Sequence, residues 1–312
     1  MQPWRVRIRS TSEVELFVDG RRLLPDTDPT GRFSEVAMGM FVESLTVAAA
    51  ARGLALTPAY THEPLRAGHR LIPFATLTFA SADVEEPLGT DLITRRRTSR
   101  VRYDGRPAPD AVLRELESVA AAAAHTFGWS SEPDLVAWTV ELNRDTLFYD
   151  MADPRARAEV GRWLRFSARE ARRRRDGFSP QALGFPGWLL WLFFRLHRLL
   201  GLPGLQRVVG SLHARTMEGT RSVGWLAGPF ASSSDWIATG RMFARFWLTL
   251  EQHGLHLQPF GSVVTNPTAN ARLQERLVRD DSEDELWMLM RIGYGAEPPR
   301  SLRLETDELV VA

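Results

Sequence analysis

The sequence predicts an α+β chain built from two diverged copies of one strand–helix–strand unit. Three observations carry this. An internal repeat aligns without gaps, with GMFVESLTVAAAARGLALTP over Gly39–Pro58 against GRMFARFWLTLEQHGLHLQP over Gly240–Pro259. Alternating apolar runs that read as strands stand beside helical runs. The two kinds of run follow no regular β-α-β rhythm, which favours segregated α+β architecture over a doubly wound parallel sheet.

Within the repeat, Gly39/Gly240, Gly53/Gly254, Leu54/Leu255, Leu56/Leu257 and Pro58/Pro259 coincide, and apolar residues coincide at Val42/Phe243, Leu45/Phe246 and Val47/Leu248. Each copy reads as a buried helix closed by a glycine, followed by an extended Leu-x-Leu-x-Pro segment. Upstream, Trp4-x-Val6-x-Ile8 followed by Phe17-Val18-Asp19 and Asp28-Pro29 matches Trp138-x-Val140-x-Leu142 followed by Phe148-Tyr149-Asp150 and Asp153-Pro154. The alternation after each tryptophan predicts a strand. Leu71–Ala80 and Leu286–Tyr294 read as buried strands that close the copies. Asp110–Ala124 reads as a helix capped by Asp110, and Pro154–Arg175 as a helix with proline in its first turn. Pro, Gly and acidic residues cluster at 83–94. The expected division is therefore a first half over 1–90 and a second half over 91–312, the latter interrupted by an insertion at about 178–229.

Composition closes several chemistries. The chain of 312 residues contains no cysteine and no lysine, so all 39 of its basic Lys/Arg residues are arginine. Thiolate nucleophiles, disulfides, Cys-ligated metals, a Walker-A loop and a lysine Schiff base are excluded. A net charge of +1 gives no general surplus for neutralising phosphates, so nucleic acid is not an expected partner. No apolar leader follows Met1, and a cytoplasmic location is the expectation. The most apolar stretch, 187–205, is broken by Arg195, His197 and Arg198. An arginine at a bilayer centre costs roughly 2.5–3.5 kcal/mol, so no transmembrane segment is expected there. His253 and His256 are the one close histidine pair, with Gly254 between them and no acidic neighbour, and no metal is expected.

Arginine clusters are the informative chemistry. Arg95-Arg96-Arg97-Thr98-Ser99-Arg100 can hold a phosphate through charge-assisted bonds plus a hydroxyl, or be a solvated basic linker. Arg300-Ser301-Leu302-Arg303, after Gly293-Tyr294-Gly295 and Pro298-Pro299, would suit the same anion.

Taken in order, Gln2-Pro3-Trp4, Arg96-x-Thr98-x-Arg100, Gly254-Leu255 to Pro259-Phe260-Gly261, Arg291-Ile292-Gly293-Tyr294-Gly295 and Arg300-Ser301-x-Arg303 resemble the FMN-binding nitroreductase superfamily, and in particular its fused, two-lobed Acg-type members. The resemblance implies a nitroreductase-like fold duplicated within one chain as a pseudo-dimer. It implies that Arg96, Thr98, Arg100, Arg300, Ser301 and Arg303 grip the phosphate and ribityl of FMN. Pro259, Phe260 and Gly261 would lie along the flavin ring, with Gln2 and Trp4 supplied by the other copy. One complete site per chain is implied, with NADH or NADPH as reductant and a small molecule as acceptor. No side chain is nominated as catalytic acid or base. A rival reading from the same resemblance is a flavin-sequestering protein with an occluded flavin, and a third is a partner role beside an adenylating enzyme. The apolar run Trp188–Phe194 with its basic end suits a lid over the flavin, a membrane-surface helix or a core helix, and the lid is the expectation taken forward.

Overall fold

Two short apolar runs, Trp4–Ile8 (β1) and Glu13–Val18 (β2), pair as an antiparallel hairpin through the turn 9–12 in a computed structural model that describes residues 2–196, 210–211, 214–278 and 284–312. By chain contacts the protein divides into two compact units. The first comprises Met1–Arg96, Phe230–Gln252 and Arg303–Ala312; the second comprises Arg97–Pro229 and His253–Leu302.

In the first unit, β2 pairs with Ile72–Ser81 (β4), and β4 pairs with Leu54–Tyr60 (β3), giving an antiparallel sheet of order β1-β2-β4-β3. The helix Arg32–Ala50 (α1) connects β2 to β3 and turns Met38 and Val42 onto a core with Leu16, Val18, Phe74 and Leu77. Burial of side chains of this size stabilises by about 1.5–3 kcal/mol each. The chain leaves α1 through Gly53 at φ +68, a left-handed conformation that glycine adopts without a Cβ penalty. Among the described residues α1 is the one helix long and apolar enough to cross a bilayer, and half of it is buried, as in a core helix. It packs on β3 and on the helix Ser233–Gln252 (α9).

The second unit repeats the plan. Thr126–Ser130 (β5), Ser222–Gly228 (β6), His256–Pro259 (β7) and Glu285–Gly293 (β8) form an antiparallel sheet of order β5-β6-β8-β7. Register repeats as well as order. Leu56 faces Phe79 in the first sheet and Leu257 faces Ile292 in the second. Leu16 faces Ala75 and Leu226 faces Met288, and a β-bulge follows each pair, ejecting Phe74 in one sheet and Trp287 in the other from the ladder. Duplication is thus expressed in the pairing itself.

Three expectations are corrected. Trp138, Val140 and Leu142 do not start a strand: they lie in the helix Pro133–Ala152 (α4), which begins with proline at its first position and Asp134 in its first turn. The counterpart of β1 is β5, and the counterpart of the short turn 9–12 is the whole stretch 131–221, so the second copy is interrupted inside its first hairpin. The expected helix Pro154–Arg175 is two helices, Pro154–Trp163 (α5) and Ala168–Arg174 (α6), because the intervening Leu164 and Arg165 are buried and bond in extended form to Phe178. Asp110 opens the helix Asp110–Ala121 (α3) behind Pro109 and makes no side-chain cap bond. The compact units are discontinuous in sequence, because α9 follows the second copy's β6 in the chain yet packs with α1 in the first unit. The expected insertion lies partly outside the described residues, at 197–209 and 212–213.

Candidate functional site

In the first unit, the helix Thr90–Arg95 (α2) ends at Arg96, whose ψ of 121 turns the backbone extended. The Arg96 guanidinium then lies over the Trp247 indole on α9, 4.4 Å from its centroid. Arg303 opens the C-terminal tail, which is fixed along β1: Leu304 N–H donates to Gln2 Oε1 at 2.7 Å, and Val311 N–H donates to the Val6 carbonyl at 2.8 Å. Loss of hydration pushes Arg96 down to about 10; the charge of Arg303 adds to this and Glu251 opposes it. Arg303 is shifted down in the same direction by loss of hydration, although the residue is exposed at the surface. Among the described residues no carboxylate forms a salt bridge with either. Trp4, from the same N-terminal segment as Gln2, stacks on Phe41 with centroids 4.7 Å apart.

The second unit holds its own pair. Thr98 bridges to Leu257 beside the Ser99 N–H bond to the Leu257 carbonyl, at 3.0 Å, and this pairing sets the strand-like course of 98–100. Arg100 lies over Phe178, 5.3 Å from the ring centroid. Burial pushes it down to about 10, and the charge of Arg291 adds to the effect. Arg291 is fully buried on β8 and paired with no carboxylate among the described residues. Its Nε donates to Gln258 Oε1 at 2.8 Å, Nη1 to the Thr216 carbonyl and Thr220 Oγ1, and Nη2 to the Val101 carbonyl at 2.8 Å. Tyr103 stacks beneath it, 4.2 Å away. Four neutral acceptors and a ring replace the usual counter-ion.

The remaining sequence candidates fall as follows. Pro259 ends β7; Phe260 is buried, its N–H bonded to the Leu289 carbonyl; Gly261 is exposed and opens the helix Gly261–Thr265 (α10). Arg300 and Ser301 are exposed in the second unit. The unit boundary falls immediately after Arg96. Arg97 bonds away, to the Pro298 carbonyl and Glu297. His253 pairs with Glu115 at 2.7 Å while His256 is buried in β7, and among the described residues no three His, Asp or Glu side chains converge as a metal site would require. Trp188 and Trp191, expected to cover a flavin, are 67% and 51% exposed.

Trp247 and the ligation of Arg291 escaped the sequence reading. Trp247 lies inside the helical repeat and reads as core; Arg291 reads as part of a motif, and only the alternation Leu257/Gln258 on β7 hinted that a polar side chain would meet it. A second polar cluster in the first unit also escaped. His62 Nδ1 lies 3.0 Å from Ser233 Oγ, which donates to the buried Glu35 carboxyl at 2.6 Å.

No protein-family description and no curated protein matches the chain. Among solved structures, it is similar to the FMN and NADPH-dependent nitroreductase NfnB from Sphigopyxis sp. strain HMH, with 16% identity over 72% of this chain and 97% of that one, at a TM-score of 0.42. The FMN-dependent nitroreductase NfnB from Mycobacterium smegmatis in complex with NADPH gives 16% identity, 70% and 94% coverage and a TM-score of 0.39. A nitroreductase with bound FMN from Bacteroides fragilis NCTC 9343 gives 13% identity, 69% and 92% coverage and a TM-score of 0.37.

Proposed function

We propose that this protein is an FMN-binding oxidoreductase of nitroreductase type. The observation that carries the reading is the Arg96–Arg303 pair: a half-buried guanidinium backed by the Trp247 indole, with the exposed Arg303 close enough to depress it further, and neither with a described carboxylate salt bridge. Such a pair is incomplete without an anion, and a phosphate monoester supplies two negative charges and the acceptors a guanidinium fork needs. The order of motifs along the sequence supports FMN as the molecule carrying that phosphate.

The residues fit the group. Arg96 and Arg303 bind phosphate; Gln2 fixes the backbone that bears Arg303; Trp247 holds the Arg96 plane and excludes water from one side of it. Thr98, Arg100, Pro259, Phe260, Gly261, Arg300 and Ser301 are proposed, on motif grounds, to serve the ribityl and ring. Bound FMN would supply hydride exchange between a nicotinamide and a small-molecule acceptor.

The test is the visible spectrum of the purified protein, reconstituted with FMN, before and after NADH or NADPH under anaerobic conditions. A flavin band that bleaches supports the oxidoreductase. A flavin that stays oxidised with both nicotinamides supports a binding or sequestering protein, and failure to retain FMN after reconstitution ends the reading.

A further inference from the structure

The helix Gly187–Arg195 (α8), which follows the single turn Pro180–Leu183 (α7), buries none of its residues. Its inner side is defined by Phe194, which meets Phe166 edge-on at 6.1 Å and faces Gly161. A separate face presents Trp188, Trp191, Leu192 and Arg195, the spacing of one helical stripe. Trp188, Trp191 and Leu192 are 67%, 51% and 37% exposed, and they make up most of the large apolar side chains exposed among the described residues. Leaving two indoles and a leucine together in water is unfavourable and marks a surface with a partner.

Charge identifies that partner. Residues 162–176 carry seven arginines against Glu170 and Asp176, in a chain whose net charge is +1. Asp176 is occupied by Arg165 at 2.6 Å and Glu170 by Arg174 at 3.5 Å. Arg169, Arg172 and Arg173 on α6 remain exposed without a described carboxylate partner. One open groove, lined by Phe166 and Ala168 on one side and by Pro180, Phe185 and Trp188 on the other, joins the start of α6 to the start of α8.

We propose that α8 and the arginine-rich α6 form a docking surface for an anionic lipid bilayer. Tryptophan is the side chain that settles at the headgroup boundary, its ring among acyl chains and its N–H among polar groups. Leu192 adds apolar insertion, and Arg195 at the helix end extends its stem along the apolar layer while its head reaches a lipid phosphate. The α6 arginines add attraction to the negative surface. A phosphate backbone would answer the arginines alone and leave the apolar face in water. One short helix gives reversible, peripheral association.

The full chain is floated with vesicles of phosphatidylglycerol mixed with phosphatidylcholine and with vesicles of phosphatidylcholine alone. Binding is expected to the anionic vesicles only and should weaken as salt is added. Trp188→Ser with Trp191→Ser should reduce it at least about tenfold, and Arg172→Gln with Arg173→Gln should reduce it independently. Should the tryptophan variant lose its native circular dichroism, the arginine variant decides the question. No binding, equal binding to both vesicles, or binding that both variants retain overturns the proposal. So does a chain that ignores vesicles while the tryptophan variant changes quencher access to bound flavin, or converts an oligomer to a monomer; the helix is then a cover or a protein contact.

Discussion

Gly39 on α1 and Gly240 on α9 meet as reciprocal partners. A Cβ on Gly39 would strike the Ile237 carbonyl oxygen, and one on Gly240 would strike the Val36 carbonyl oxygen. Each of these two glycines thus meets the residue one turn before its own counterpart, which is the reciprocity a twofold axis produces. The two helices are equivalent copies crossing at their equivalent glycines, close enough that backbone touches backbone.

Alanine at either glycine must push the helices apart. Gly39→Ala or Gly240→Ala is expected to destabilise by about 1–3 kcal/mol, because the obstacle is a carbonyl rather than a side chain that can rotate away. Gly254→Ala tests a different cause. Nothing lies within 4 Å of its Cβ position, but its φ is +69, so a loss of roughly 1–2 kcal/mol should come from backbone strain alone. In urea denaturation the double change at 39 and 240 should cost less than the sum of the singles, since the first substitution already opens the crossing.

Acidity provides a second test in the first unit. Burial raises the Glu35 carboxyl; the bond from Ser233 and the charge of His62 oppose that, while Asp28 adds to it. Asp28 is raised as well, chiefly by burial, despite donors from Phe33 and Ser34. A raised carboxyl holds its proton in the native state where the unfolded chain has released it. The stabilisation is therefore complete below the ordinary carboxylate range and is lost as pH rises through the raised value. Denaturation midpoints should rise as the pH is lowered from neutrality through the raised value. Glu35→Gln, which keeps an acceptor for Ser233, should flatten that slope and raise stability at neutral pH; an unchanged slope would show that Glu35 is ionised throughout.

The helix–strand part of the duplication was legible because both copies keep the same glycines and the same Leu-x-Leu-x-Pro edge, with no insertion to shift the alignment. The hairpin was not. Its second copy, β5, is only Thr-Phe-Gly-Trp-Ser, and its pairing strand β6 lies beyond 131–221. The alternation Trp138-x-Val140-x-Leu142 supplied a false match, since three apolar residues at that spacing fit a helix turned partly inward as well as a strand. The arginines were legible as chemistry, because charge clusters stand out in a lysine-free chain. Their environments were not, because Trp247 and Arg303 reach Arg96 only through tertiary packing.

Arg291 should be the most costly single arginine to lose. Replacing it by methionine leaves Gln258, the Thr216 carbonyl and the Val101 carbonyl without their donor, and Tyr103 without the cation above it. A loss of about 1–3 kcal/mol is expected for each buried acceptor left unsatisfied. Arg174→Ala, which removes a half-exposed partner of Glu170, should change stability by less than about 1 kcal/mol. Equal effects in chemical denaturation would mean that Arg291 is far better hydrated than its surroundings imply.

The twofold relation also fixes an expected stoichiometry. Arg96 rests on Trp247 of α9, and the repeat places Thr46 of α1 at the equivalent position. Of these two helices only α9 carries an indole on which a guanidinium can lie, so the proposed phosphate arrangement would be expected once per chain. One FMN per chain should be released on denaturation, measured as flavin absorbance against protein. Arg96→Ala and Arg100→Ala should each weaken FMN by about 1.5–3 kcal/mol, the scale of a lost charge-assisted hydrogen bond, while Arg174→Ala leaves it unchanged. Trp247→Leu should weaken FMN less than Arg96→Ala, because it frees the guanidinium without removing it. Inorganic phosphate should raise the melting temperature of the flavin-free chain, and that rise should disappear in Arg96→Ala. Two flavins per chain would show that the Trp247 platform does not select the site, and phosphate stabilisation that survives the loss of Arg96 would move the anion to other arginines.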